Sequence, residues 1–167
     1  MATVLLSTTL GDITLDLDEE NAPVSVKNFL EYVASDHYVG TVFHRVIDGF
    51  MVQGGGYDEN LKKKPVREPI TNEAANGLKN DRGTVAMART MELNSATSQF
   101  FFNVVNNDFL NHRAPTPEGY GYSVFGKVAD GMDVVDKIKA VKTGSKGPFQ
   151  KDCPQEHVVI TGAKVVE

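Results

Sequence analysis

The sequence predicts a mostly-β fold: an eight-stranded antiparallel barrel, closed on itself, with two α-helices plugging its open ends. Eight short runs, apolar or alternating, are punctuated by Gly, Asn, Asp and Pro. Only two segments carry helical periodicity, and strands and helices do not alternate as a parallel βαβ sheet requires. Eight strands of this length can close into a barrel whose interior is filled by side chains. The runs by themselves leave a two-layer sandwich open.

The first two runs, residues 2–8 and 12–17, flank the turn Leu10-Gly11-Asp12 and read as a hairpin. In the second, Ile13, Leu15 and Leu17 alternate with Thr14 and Asp16, the pattern of a half-buried strand. The period then changes in APVSVKNFLEYVASDHY. Val26, Phe29, Leu30 and Val33 recur at steps of three and four, and Pro23 suits a first helical turn. Strand-like runs follow at 41–48, 50–54, 84–88, 99–105 and 122–128. A second helix is predicted at GMDVVDKIKAV, with Met132, Val135 and Ile138 on one face and Gly144 as its stop signal. The last strand covers 157–166.

A chain of 167 residues suffices for one domain with one sizeable core, taken here as 1–167. A net charge of -5 argues against a nucleic-acid partner. The densest basic run, Lys62-Lys63-Lys64, lies between loop-like residues and reads as a solvated loop. The N-terminal MATVLLSTTLGD has no basic region ahead of a long apolar one, so no secretory signal is expected. No run of about 18 apolar residues occurs, so no membrane span is expected. One cysteine, Cys153, forbids an internal disulfide and fits a reducing compartment, so a cytoplasmic location is expected.

Several chemistries lack their residues. GYSVFGK at 121–127 is a near miss to a phosphate-binding loop, but Val128 stands where the magnesium-binding hydroxyl belongs, and YSVF reads as strand. Gly54-Gly55-Gly56 lacks the dinucleotide-binding spacing. His37, His44, His112 and His157 have no metal-ligand spacing, and no G-x-S-x-G elbow is present. No metal or cofactor is expected. Cys153, beside Pro154 in a polar stretch, has no sequence neighbour to activate it.

What remains is a set of polar residues inside apolar runs: Arg45, Gln53 after Phe50 and Met51, Arg89 after Ala86-Met87-Ala88, and Gln99 before Phe100-Phe101-Phe102. Side chains two apart on a strand share a face, which groups Phe43, Arg45 and Ile47, and separately Met51 and Gln53. His44 then faces away from Arg45 and reads as a hydrogen-bonded structural histidine, and Phe100 faces the interior as core. Taken singly, each polar residue is explained by a strand end or a local pair. Together they describe an apolar surface, rich in Phe and Met, with a few aimed donors.

The strings FHRVIDGFMVQGGG (43–56), NEAANGLKNDRGTVAMAR (72–89), SQFFFNV (98–104), DFL (108–110) and VFGKVADGMDVVDKI (124–138) carry a resemblance that spans nearly the whole chain in order. The sequence resembles the cyclophilin family of peptidyl-prolyl cis-trans isomerases, most closely its short bacterial cytoplasmic members. The resemblance implies an eight-stranded antiparallel barrel with two capping helices. It implies a catalytic role for Arg45 and a proline pocket of Phe50, Met51, Phe101 and Leu110. It also implies substrate-backbone contacts from Gln53, backbone pairing with the peptide at Ala88 and Arg89, and a second glutamine, Gln99, beside the groove. Three positions depart from the better-known eukaryotic pattern: Phe109 replaces a tryptophan, Tyr122 a pocket histidine, and Arg89 an asparagine. That tryptophan is associated with tight cyclosporin binding, so cyclosporin is expected to bind weakly.

The implied reaction is rotation about an X–Pro amide, which needs no nucleophile or metal. The implied partners are proline-containing peptides and unfolded chains, acted on by a monomer that assists protein folding. Two other readings compete. A cyclophilin fold that only docks proline segments would need the pocket but not Arg45. A hydrolase or nucleotide-binding enzyme lacks the residues named above.

Overall fold

The computed structural model describes residues 2–166. The first hairpin forms as expected: β1 (Ala2–Thr8) pairs with β2 (Gly11–Leu17) from Ala2↔Leu17 to Thr8↔Gly11. The turn is Thr9-Leu10, one residue earlier than expected. It is fixed by Thr8, whose Oγ1 donates to Gly11 O at 2.7 Å and accepts from Leu10 N–H at 3.1 Å. Val4, Leu6, Ile13, Leu15 and Leu17 are fully buried, so the period of two is the boundary between core and surface.

The helix α1 (Pro23–Ala34) begins on Pro23. Its first-turn amides are capped at long range: Glu73 accepts from the N–H groups of Val24 (3.2 Å) and Ser25 (2.7 Å) and from the Ser25 hydroxyl. A carboxylate there also complements the positive end of the helix. The buried face presents Val26, Phe29, Tyr32 and Val33. Phe29 packs against Tyr38, Phe100 and Phe125 with ring centroids 5.0–5.4 Å apart.

The run 41–48 is not one strand. It divides into β3 (Thr41–Val42) and β4 (Arg45–Ile47), with irregular backbone at Phe43 and His44. Then come β5 (Met51–Gly54), β6 (Tyr57–Asp58), β7 (Thr84–Met87), β8 (Phe100–Asn103) and β9 (Val124–Asp130). The second helix, α2 (Met132–Lys139), stops at Lys139 rather than at Gly144. Gly144 instead lies in β10 (Thr143–Lys146), which forms a hairpin with β11 (Phe149–Pro154) ahead of β12 (Ile160–Val166). That hairpin buries Cys153 with Val42 and Leu61, and burial pushes its thiol pKa up.

Eight strands form one antiparallel sheet in the order β12-β1-β2-β9-β7-β8-β5-β4. They are the eight runs read from the sequence. The ladder does not close between β12 and β4: the sheet is an open half-barrel, not the closed barrel expected. Near the β4 edge the polypeptide instead builds two small satellites, the β3–β6 pair and the β10–β11 hairpin. The main core fills the concave side, where α1 packs on β9 and β12, and α2 packs on β2, β4 and β5.

Candidate active site

The site follows from strand register. Arg45 pairs with Gln53, Gln53 with Phe101, Phe101 with Ala86, and Ala86 with Val124. Paired residues project on the same side of a sheet, so these five form a row across one face. The next row, Val46–Val52–Phe102–Val85, projects to the other face and joins the main core. Two apolar clusters therefore back onto each other through a single sheet. The smaller holds Met51, Ala86, Phe101, Leu110 and Val124, with Phe50 and Tyr122 against it.

On that face lies a hollow of about 130 Å³ lined by Arg45, Phe50, Met51, Gln53, Ala88, Arg89, Phe101, Leu110 and Tyr122. Its volume approaches that of a cavity which accepts one benzene ring, ~150 Å³. Nine of the eleven residues expected at the site thus meet around one ring-sized space. Gln99 sits just outside. Its Oε1 accepts from Gln53 Nε2 at 2.9 Å and fixes the direction of the Gln53 amide. Phe109 is at the rim, 58% exposed, stacked on Phe50 at 5.6 Å between centroids.

The three-glycine run now has a physical reason. Gly55 has φ +91, and a Cβ there would lie 2.8 Å from the Phe100 ring. A Cβ on Gly56 would meet Gln99 side-chain atoms at 2.5–2.7 Å, so Gln99 lies where a side chain on Gly56 would be. Gly55 lets the chain pass close to the Phe100 ring, and Gly56 leaves room for Gln99, which holds Gln53.

Arg45 and Ile47 share the site face, but Phe43 does not. The irregular backbone at 43–44 turns Phe43 into the main core against Phe100 and Phe102. Phe100 is core, as expected. His44 is buried at 5% exposure between the rings of Tyr57 (4.6 Å) and Phe149 (5.3 Å). Contrary to the expected hydrogen-bonded histidine, its Nδ1 has no partner among the described residues. Burial, and then the neighbouring Arg45 charge, lower its pKa from 6.5 to about 4. His44 is therefore neutral at pH 7, and the charge at this end of the site belongs to Arg45.

Arg89 contributes more than backbone. Its Nε donates to Gly121 O (3.0 Å), Nη1 to Thr90 O (3.0 Å) and Nη2 to Pro117 O (2.7 Å). Its Cζ lies 4.9 Å from the centre of the Tyr122 ring, which in turn meets Phe101 edge-on at 5.7 Å. The guanidinium therefore fastens the loop that carries one wall of the hollow.

Beneath the walls runs a buried amide network that the sequence reading missed. Asn107 Nδ2 donates to Phe50 O (2.9 Å) and to Asn103 Oδ1 (2.8 Å). Asn103 Nδ2 donates to Asn80 Oδ1 (3.0 Å), and Asn80 Nδ2 to Leu110 O (3.2 Å) and Tyr122 O (3.4 Å). Three carbonyls of wall residues are thus tied to one chain of asparagines. The available signal was Asn103 closing the FFFN run, a residue type disfavoured in strands.

Comparison with known proteins gives this geometry its family. The model of the cyclophilin type peptidyl-prolyl cis-trans isomerase/CLD family matches residues 3–165. The chain belongs to the cyclophilin family. It is 56% identical over 166 residues to peptidyl-prolyl cis-trans isomerase cyp18 of Streptomyces antibioticus, covering 99% of each chain. It is 55% identical over 164 residues to peptidyl-prolyl cis-trans isomerase B of Escherichia coli K12, covering 98% of this chain and 99% of that one. A cyclophilin type isomerase of Cryptosporidium parvum, crystallised in the presence of the dipeptide Ala-Pro, superposes with a TM-score of 0.78 at 27% identity over 99% of both chains. This cyclophilin is an enzyme of the peptidyl-prolyl cis-trans isomerase class. Among its described residues no helix is long and apolar enough to cross a membrane.

Proposed function

We propose that the hollow binds the proline ring of X–Pro segments and that Arg45 is the catalytic residue. The carrying observation is the pairing of Arg45 with Gln53 at the edge of a ring-sized apolar hollow. Rotation about the X–Pro bond is opposed by about 18–20 kcal/mol because the amide is conjugated. At the twisted transition state conjugation is lost, and the prolyl nitrogen gains a lone pair absent from both ground states. A donor aimed at that nitrogen binds the transition state more tightly than the substrate, the condition for catalysis. The guanidinium is always charged and rigid at its tip.

The remaining residues hold the chain. Phe50, Met51, Phe101, Leu110 and Tyr122 confine the ring. Gln53, held by Gln99, and the backbone of Ala88 and Arg89 grip the polypeptide either side while the preceding acyl group turns. The hollow is open to solvent at its Arg45 edge, which suits flexible or unfolded proline-containing chains and a role in protein folding.

The test is Arg45→Ala in an exchange assay on a short Ala-Pro peptide. A charge-assisted hydrogen bond contributes about 1.5–3 kcal/mol, or roughly ten- to a hundredfold in rate. The expected result is that loss in kcat with peptide affinity largely kept. A variant that turns over like the wild type overturns the assignment. A wild type that binds Pro peptides without turnover makes the chain a docking module.

A further inference from the structure

The loop 111–121 joins two walls of the hollow, Leu110 and Tyr122, and so stands at its rim. Its sequence, NHRAPTPEGYG, holds two X–Pro bonds, and Pro115 and Pro117 are both exposed. The loop is closed at its neck, where the N–H groups of Arg113 (2.7 Å) and Ala114 (3.0 Å) both donate to Gly119 O. Arg89 fastens its far limb through Pro117 O and Gly121 O. Pinned in this way, neither proline lines the hollow of its own chain.

The two bonds differ. Thr116 O accepts from the N–H groups of Gly119 (3.2 Å) and Tyr120 (2.8 Å), so the Thr116–Pro117 bond is engaged inside the loop. Among the described residues no donor reaches the carbonyls of Ala114 and Pro115. The other five prolines have structural places away from the rim. Pro23 opens α1, Pro148 lies in the turn between β10 and β11, and Pro154 is buried. Pro65 and Pro69 sit either side of Arg67, which is fastened to α1 through the Tyr32 hydroxyl (2.8 Å) and Glu31.

We infer, on the proline-binding reading of the hollow, that Ala114-Pro115 of one copy enters the hollow of a second copy, so that the protein pairs and occludes its own site at high concentration. The pair is a small residue followed by an exposed proline ring, and its carbonyls are free to accept from donors of the second copy's site. Glu118, on the same loop, and Arg45, at the edge of the hollow, are opposite charges, both exposed and both outside any ion pair among the described residues. The loop is held in shape before it docks, so little chain entropy is lost. Because the loop rims the hollow that it fills, a two-fold arrangement lets each copy fill the other at once. One peptide-sized contact is weak, on the order of 1 mM, and two made together tighten it toward ~0.1 mM.

The experiment follows the full chain by amide-correlated NMR and sedimentation equilibrium from ~20 μM to ~2 mM. The expected result is a monomer at the low end and a mass rising toward twice that of the chain. With a Kd of ~0.1 mM, half of the chains are paired at a total concentration of ~0.1 mM. Resonances of Phe101 in the hollow and of loop 111–121 shift together as the concentration rises, and excess short Ala-Pro peptide restores the monomer. Pro115→Ala weakens pairing by roughly tenfold or more, because a buried ring is lost from each contact. Pro69→Ala, at an exposed proline away from the rim, leaves pairing unchanged, and the dispersed spectrum of each variant reports its fold. A chain that stays monomeric to ~2 mM with fixed shifts overturns the inference. So does pairing that survives Pro115→Ala, or that survives a peptide which itself shifts the hollow. A peptide that shifts no hollow resonance is failure of the proline-binding reading instead; loss of pairing in Pro115→Ala then still supports the loop contact, and its persistence overturns it.

Discussion

His44 makes the protein sensitive to acid at the strand that carries Arg45. The folded ring titrates at about 4, against 6.5 in the free side chain, because burial between Tyr57 and Phe149 disfavours its charged form. Below pH 6.5 the unfolded chain takes up a proton that the folded one does not, so this contribution is complete above about pH 6.5 and shrinks as pH falls toward 4. At 1.36 kcal/mol per pH unit the whole gap is about 3 kcal/mol, of which about 2.5 kcal/mol is lost by pH 4.5. In a domain of this size that lowers Tm by roughly 5–10 °C. Carboxylates titrate in the same window, so the measurement is a difference. Urea unfolding of wild type and His44→Phe is followed from pH 7.5 to 4.5. The variant keeps a ring in the aromatic sandwich and has no proton to take up, so its stability falls by about 2.5 kcal/mol less. Parallel losses in the two proteins, or an NMR titration of His44 with its midpoint near 6.5, refute the reasoning.

Removing the side chain of Asn80, which is fully buried, leaves the Tyr122 carbonyl and one amide N–H of Asn103 without a partner and takes one of two donors from the Leu110 carbonyl, which keeps the Tyr122 N–H. Asn80→Ala is expected to lower stability by about 2–3 kcal/mol in urea unfolding and to reduce kcat/KM on Ala-Pro peptides, since two walls lose their tether. Gly56→Ala forces Gln99 aside and so frees Gln53. Because the displaced group is a flexible side chain, unfolding should change by less than ~1 kcal/mol while KM rises several-fold; an unchanged KM removes Gln53 from substrate binding. Cyclosporin should inhibit weakly, because the rim carries the mostly exposed ring of Phe109 in place of an indole. A nanomolar inhibition constant would show that the phenyl ring suffices.

The linear order of residues already located the eight strands of the main sheet and, along β1, β2 and α1, the apolar face. Alternation at Ile13-Leu15-Leu17, and the three-four spacing of Val26, Phe29 and Val33, are local consequences of side-chain direction and need no knowledge of partners. The family resemblance named eleven candidate site residues, nine of which line one hollow. Tertiary structure decided what depends on partners distant in sequence. It left the barrel open at the β4 edge, placed two small strand pairs beside it, and ended α2 short of Gly144. It also turned Phe43 away from Arg45, left His44 Nδ1 unpartnered, and joined Asn80, Asn103 and Asn107 under three walls of the hollow. The reason is common to all of these. A side chain's direction follows from its own strand, but strand closure, a buried hydrogen bond and the charge balance of a groove are properties of residues that only folding brings together.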